Sequence, residues 1–200
     1  MTPSLKQIIE GALLAAGAPV TLEQLQALYP EDAQPSRAEL NDVLTALAED
    51  YRERAIELIE VAGGYRVQVR RELAPWVVRL WEERPARYSR ALLETLALIA
   101  YRQPITRGEI EEIRGVAVTT NIIKTLLERD WVRVIGHREA PGRPALYATT
   151  RRFLDYFGLR SLNELPPLAE LRAADAEPLV GNDATAANNV IEMLRDSQGA

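Results

Sequence analysis

Residues 104–113 read PITRGEIEEI and residues 19–28 read PVTLEQLQAL. Laid over each other at an offset of 85, they bring a turn proline, a threonine and a Glu or Gln three positions later into one frame. A threonine followed at that distance by Glu or Gln forms a capping box. Its hydroxyl accepts from the third helical N–H, and the Glu or Gln side chain reaches back to the threonine N–H. Thr21 with Gln24, and Thr106 with Glu109, therefore each predict a short helix, with Leu22, Leu25 and Leu28 inward in the first and Ile110 and Ile113 in the second. Upstream at the same offset, Ile8, Leu13 and Leu14 fall on Leu93, Leu98 and Ile99. The chain reads as one fold written twice. Each copy spans roughly 65–75 residues, a size that folds alone yet buries only about 60% of its surface.

Outward from the two stretches the same order of elements recurs. Ser4 caps a first helix carrying Leu5, Ile8, Ile9, Ala12, Leu13 and Ala16 at helical spacing, ended by Gly17 and Pro19. After the second helix, Pro30 and Pro35 bracket a loop, and Ser36 with Glu39 opens a third helix with Leu40, Val43, Leu44 and Leu47 on one stripe. Ile56–Val61, Gly63-Gly64 and the alternation Tyr65, Val67, Val69 predict a hairpin. In the second copy Ser89 precedes a helix with Leu92, Leu93, Leu96, Ile99 and Ala100, and Gly115 stops the Thr106 helix. Thr119 or Thr120 leads into a third helix with Ile122, Ile123, Leu126 and Leu127. Trp131, Val132, Val134 and Ile135 then pair with Leu146 and Tyr147 across Pro141–Pro144. Thr150 caps a last helix with Phe153, Leu154, Tyr156 and Phe157.

Three helices and a hairpin, twice, predict a mainly α protein with small β-hairpins: an α+β chain of two tandem winged-helix domains. The expected boundaries are residues 1–71 for the first domain, 72–88 for a connector helix and linker, and 89–171 for the second domain. The connector carries Leu73, Trp76, Val77, Leu80 and Trp81 at helical spacing. From 172 to 200 the texture turns to Ala, Asn, Asp and Gly, which predicts a disordered tail with one short amphipathic turn at Val190, Ile191, Met193 and Leu194.

Composition removes several chemistries. Of 200 residues, 47% are hydrophobic and 26% charged, and none is cysteine, so disulfides, thiol nucleophiles and Cys-based zinc sites are out. His137 is the only histidine, which leaves no His-pair metal site. The adjacent pairs Glu82-Glu83 and Glu111-Glu112 point about 100° apart on a helix and do not share a site. Gly63-Gly64 and Pro141–Pro144 open no helix, as a phosphate-cradling loop must. No nucleophile, base and orienter assemble, so the sequence predicts no catalysis, no metal and no cofactor. No apolar run approaches the ~18 residues of a membrane span and MTPSLKQ lacks a secretory pattern, so the expected setting is the cytoplasm, off the membrane.

The net charge of −5 is unevenly spread: −6 over residues 1–50, +2 over 51–100, +4 over 101–152 and −5 over 153–200. A winged helix that reads DNA places its third helix in the major groove, with its wing meeting phosphate. The third helix of the first copy sets Arg37 against Glu39, Asp42, Glu49 and Asp50, and carboxylates there oppose the counterion release that drives DNA binding. The second copy carries Lys124 and Arg129 on its third helix and Arg133, Arg138 and Arg143 on its hairpin. On charge alone, a DNA-binding regulator and a socket for an acidic protein segment are evenly matched there. Trp76 and Trp81 read as packing of the connector or as anchors for another polypeptide.

The second half also carries a family pattern. LLETLALIAYRQPITR over 92–107, EIEEIRGV over 109–116, LLER over 126–129, PGRP over 141–144, FLDYFGL over 153–159 and LNELPPL over 162–168 resemble the bacterial segregation and condensation protein B (ScpB) family. The likeness runs strongly through 89–171, and through 4–85 in pattern and length. Val118–Asn121 departs from the small, Ser-rich sequence expected before the third helix, and Asn163 stands where aspartate is common.

The resemblance implies homodimerisation chiefly through the first domain and no catalysis. It also implies that the dimer grips the central region of the kleisin ScpA, which bridges the heads of an SMC ATPase in a nucleoid-associated assembly that organises and segregates chromosomes at cell division. Under it, Trp76, Tyr101, Arg102, Gln103 and Arg143 are the candidate partner contacts. Direct DNA contact by this subunit stays open.

Overall fold

The computed structural model describes residues 3–80 and 88–165. Trp81 and the tail 172–200, with Val190, Ile191, Met193 and Leu194, lie outside the described residues. The chain divides into two units: Met1–Glu82 with Gly158–Arg160, and Glu83–Phe157 with Ser161–Ala200.

In the first unit Ser4 and Gln7 form a capping box that starts α1 (Leu5–Ala15). The Thr21/Gln24 box starts α2 (Leu22–Gln26), and the Ser36/Glu39 box starts α3 (Arg37–Asp50). Ile9, Leu13, Leu25, Leu40, Leu44, Leu47 and Tyr51 make its buried core, with Val20, Ile56, Leu58, Tyr65 and Val67 packed around them. The hairpin pairs β1 (Ile56–Val61) with β2 (Gly64–Val69) in unbroken register, Ile56 opposite Val69 and Val61 opposite Gly64. Arg70 closes the α3–β1 corner. Its guanidinium donates to the carbonyls of Tyr51, Arg52 and Arg54, each at 2.9 Å, satisfying acceptors that a helix end leaves over.

The connector, expected to start with a helix at residue 72, is broken within the described residues. A 3₁₀ turn at Arg71–Leu73 precedes α4 (Ala74–Val77), and another at Val78–Leu80 follows it. Pro75 is the reason. It has no N–H to give the carbonyl four residues back, so an α-helix cannot run through it from Arg71.

The second unit repeats the plan on a larger core. Ser89 caps α5 (Arg90–Arg102), whose Leu92, Leu93, Thr95, Leu96, Ala97, Ile99 and Ala100 are all buried. Then come β3 (Ile105–Thr106), α6 (Arg107–Arg114), α7 (Thr120–Glu128), β4 (Val132–His137), β5 (Ala145–Thr149) and α8 (Arg151–Tyr156). The sheet order is β3-β5-β4, all antiparallel. Trp131 is buried beneath the wing, its ring 5.1, 4.6 and 5.4 Å from those of Tyr88, Tyr156 and Phe157.

The two units share helix, short strand, helix, helix and wing, the winged-helix order. In the first unit the short strand shrinks to a single bridge, where Val20 and Tyr65 exchange N–H···O bonds of 2.9 Å. In the second, Ile105 pairs with Tyr147 at the corresponding place.

Two details of the repeat are corrected. First, the offset of 85 holds from the proline onward but fails for the leading helices. Leu14 is 57% exposed while Ile99 is fully buried. Four residues join α1 to Val20 and two join α5 to Ile105. The helix ends Ala15 and Arg102 therefore correspond, placing Ile9 on Leu96 and Leu13 on Ala100, all four buried.

Second, Leu28 and Ile113 do not face inward; they are 51% and 53% exposed. Leu28 lies beyond the end of α2. On α6 the inward line runs from Ile110 to Arg114, four residues on, and Arg114 is nearly buried with its guanidinium 2.9 Å from Glu94. A charged residue at an inward position hides the stripe from an apolar pattern.

Candidate protein-interaction surface

The five candidate contacts fall in three places. Trp76 stands on α4 of the first unit, 65% exposed. Tyr101, Arg102 and Gln103 lie at the end of α5 in the second unit, and Arg143 at the wing turn between β4 and β5. Arg143 precedes β5 and Gln103 bonds Thr149 at its far end, so the length of β5, five extended residues or roughly 14 Å, lies between them. The wing and helix positions therefore do not converge on one small site.

Their local roles differ. Gln103 is fully engaged inside its own unit. Its Oε1 accepts from the Thr149 N–H at 2.7 Å and the Thr149 hydroxyl at 3.0 Å, and its amide donates to the Ala100 carbonyl at 3.1 Å. Tyr101 is half-buried, and that burial pushes its phenol above the ordinary range. Arg102 is exposed in the last turn of α5, where a cation complements the helix dipole. Arg143 has a left-handed backbone (φ +40°) between Gly142 (φ +82°) and Pro144, and its N–H closes the turn onto Ala140 at 2.9 Å. Its side chain is exposed.

The cations that favour DNA are partly committed to carboxylates. Lys124 lies 3.6 Å from Glu128, one turn on along α7. Arg138 lies 3.0 Å from Glu109. Glu109 also accepts from the Thr106 N–H and hydroxyl, each at 2.8 Å. The Thr106 backbone and hydroxyl bonds, joined by Arg138, hold its carboxyl below the usual carboxylate range. Glu111 is held low in the same way, first by the Val118 N–H and then by Arg107. These carboxylates cap and tie helices.

The apolar surface of the second unit includes two residues that the sequence placed in the strand without marking them as exposed. Val134 and Ile135, neighbours on β4, are 44% and 47% exposed. A bulge explains the pair. Val134 faces Tyr147 and Gly136 faces Leu146, so Ile135 is an extra residue on its strand. The signal was present as two consecutive apolar residues in a strand that should alternate. Val116, between α6 and α7, is also exposed. Among the described residues no group of His, Asp and Glu could hold a metal ion, and no helix is long and apolar enough to cross a membrane.

Fold and surface together define a tandem winged-helix protein with apolar positions exposed on both units. Comparison with known proteins makes the assignment specific. The family model of the segregation and condensation complex subunit ScpB matches residues 7–168, and the chain belongs to that family. The segregation and condensation protein B homolog of Coxiella burnetii is 60% identical over 166 residues, which cover 83% of this chain and 79% of that one. Segregation and condensation protein B of Syntrophotalea carbinolica is 48% identical over 171 residues, covering 84% of each. The crystal structure of ScpB from Mycobacterium tuberculosis is 35% identical and covers 78% of this chain and 95% of its own, with a TM-score of 0.35. Family membership places the chain in chromosome segregation and condensation.

Proposed function

We propose that the chain is a non-catalytic homodimeric subunit of a condensin-like SMC–kleisin complex, acting in the cytoplasm at the nucleoid. In this reading the first domain, residues 1–71, carries the dimer contact. The connector 72–88 and the second domain, 89–171, hold the central region of the kleisin ScpA, through which the SMC ATPase is reached. The observation that carries it is the exposure of large apolar side chains on both units, Trp76 among them. Domains this small bury too little of themselves to leave such surface without consequence. Trp76, Tyr101, Arg102 and Arg143 remain the proposed contacts, while the hydrogen bonds of Gln103 favour a positioning role.

Light scattering on the chain alone and with its cognate kleisin tests the reading. A dimer that takes up kleisin supports it, and a monomer indifferent to kleisin removes it. Replacing Arg102 and Arg143 together by alanine and measuring kleisin capture tests those two positions. The competing DNA-binding regulator predicts a mobility shift that weakens steeply with salt and depends on Lys124, Arg133 and Arg138. The ion pairs of Lys124 and Arg138 weigh against it.

A further inference from the structure

We propose that the outer edge of β4 is a docking edge for an extended acidic polypeptide segment, which adds to the β3-β5-β4 sheet as a fourth strand and sets apolar side chains against Val134 and Ile135. The inference rests on the partner reading above and names where, and in what form, the partner binds.

Three observations carry it. The first is topological. β4 is the margin of its sheet, and among the described residues its only strand neighbour is β5. Its outer N–H and C=O groups on either side of the bulge thus present ladder positions of the kind that strand addition uses. The second is the bulge. It turns two consecutive apolar side chains toward solvent at the middle of that edge, where alternation would have shown one. The third is charge. Arg133 is exposed on β4 and Arg143 on the turn that follows, whereas Arg138 just beyond the strand is held by Glu109.

Those cations select the occupant. A second copy of this chain pairing edge to edge would add a second Arg133 and Arg143 to the same small region with no added carboxylate on the strand, and like charges brought together across a ladder are destabilising. An acidic strand meets the same residues favourably, and the apolar pair fixes its register. Charge therefore guards the edge against self-association while leaving it open to a partner of opposite sign.

The test uses the isotope-labelled full chain and synthetic peptides tiling the central region of the cognate kleisin. Hydrogen exchange of the β4 amides is followed with and without each peptide, and affinities are measured for wild type and for Arg133→Glu and Ile135→Asp. The expected result is that one acidic, extended peptide slows β4 exchange, and that each substitution weakens its binding about tenfold or more without lowering the midpoint of thermal unfolding. Arg133→Glu changes only an exposed side chain and keeps the test valid if Ile135→Asp disturbs the wing. Kleisin peptides that bind both variants as tightly as wild type and leave the β4 amides unprotected overturn the edge and leave the partner reading standing. Failure of every peptide and of the whole kleisin to bind removes both. Protection of β4 already present in the chain alone also overturns the proposal, in favour of an occupant from this chain or a second copy.

Discussion

Gln103 and Thr149 lock the end of α5 to the end of β5: one carbonyl oxygen, Gln103 Oε1, accepts from both the N–H and the hydroxyl of Thr149, at 2.7 and 3.0 Å. Both residues are partly buried, and the Gln103 N–H continues the helix onto Ile99 at 3.0 Å. Gln103→Ala leaves two donors without their acceptor in a partly dry place, which costs about 1–3 kcal/mol. The expected outcome is a lower denaturant midpoint for the second unit, with kleisin affinity unchanged wherever the variant is fully folded. Affinity lost at unchanged stability would return Gln103 to the contact surface.

Gly64 is required where it stands. Its φ is +119°, and a Cβ built there would lie 2.2 Å from the Val20 carbonyl oxygen, inside the bridge that joins Val20 to Tyr65. Gly64→Ala is expected to cost about 2 kcal/mol or more, combining backbone strain with loss of the bridge. Gly11 is the internal control. It lies in α1 with nothing within 4 Å of an added Cβ, so Gly11→Ala is expected to stabilise by about 0.5–1 kcal/mol. Urea titrations of the two variants should move in opposite directions.

What the chain discloses before it folds is mostly local. The boxes Thr21/Gln24, Ser36/Glu39 and Thr106/Glu109 are legible because cap and partner lie three residues apart and need no tertiary contact; all three make both hydrogen bonds. β3 is only two residues long and pairs with Leu146 and Tyr147 some 40 positions away, so no periodicity announces it. The stripe of α6 is hidden by Arg114, whose inward place depends on Glu94 of another helix. The candidate contacts divide by the same logic. Trp76 is legible as a large apolar residue and is exposed, whereas the commitment of Gln103 depends on a strand 46 residues on.

Leu25 and Leu28, and their counterparts Ile110 and Ile113, separate core from surface within three residues. Leu25 and Ile110 are fully buried, while Leu28 and Ile113 are more than half exposed. Ile110→Ala and Leu25→Ala are expected to cost about 2–5 kcal/mol each, the range for a large residue cut from a packed core. Leu28→Ser and Ile113→Ser should stay within about 0.5 kcal/mol of wild type. Chemical unfolding of the four single variants checks this. A cost of several kcal/mol at Ile113 would restore an inward-facing stripe of both isoleucines.

Glu109 and Thr106 make stability depend on acid. Thr106 is nearly buried, and its hydroxyl accepts from the Glu109 N–H at 3.3 Å while the Glu109 carboxylate accepts from the Thr106 N–H. Thr106→Ala removes that cap and is expected to cost about 1–2 kcal/mol. The carboxyls of Glu109, Glu39 and Glu111 are all held below their ordinary value of 4.5, first by backbone N–H donors. A carboxyl lowered in the folded state binds its proton more readily once unfolded. Its contribution is therefore present in full above 4.5 and drains away as pH falls through the lower folded value. Denaturant midpoints taken from about pH 7 down to about pH 3 should decline at the acid end. Glu109→Gln should start lower at neutral pH, because the charged acceptor beside Arg138 and the helix start is gone, and should then decline less steeply. Parallel acid limbs for wild type and Glu109→Gln would mean that this carboxyl carries no part of the dependence, and that its bonds to Thr106 are as strong when it is protonated.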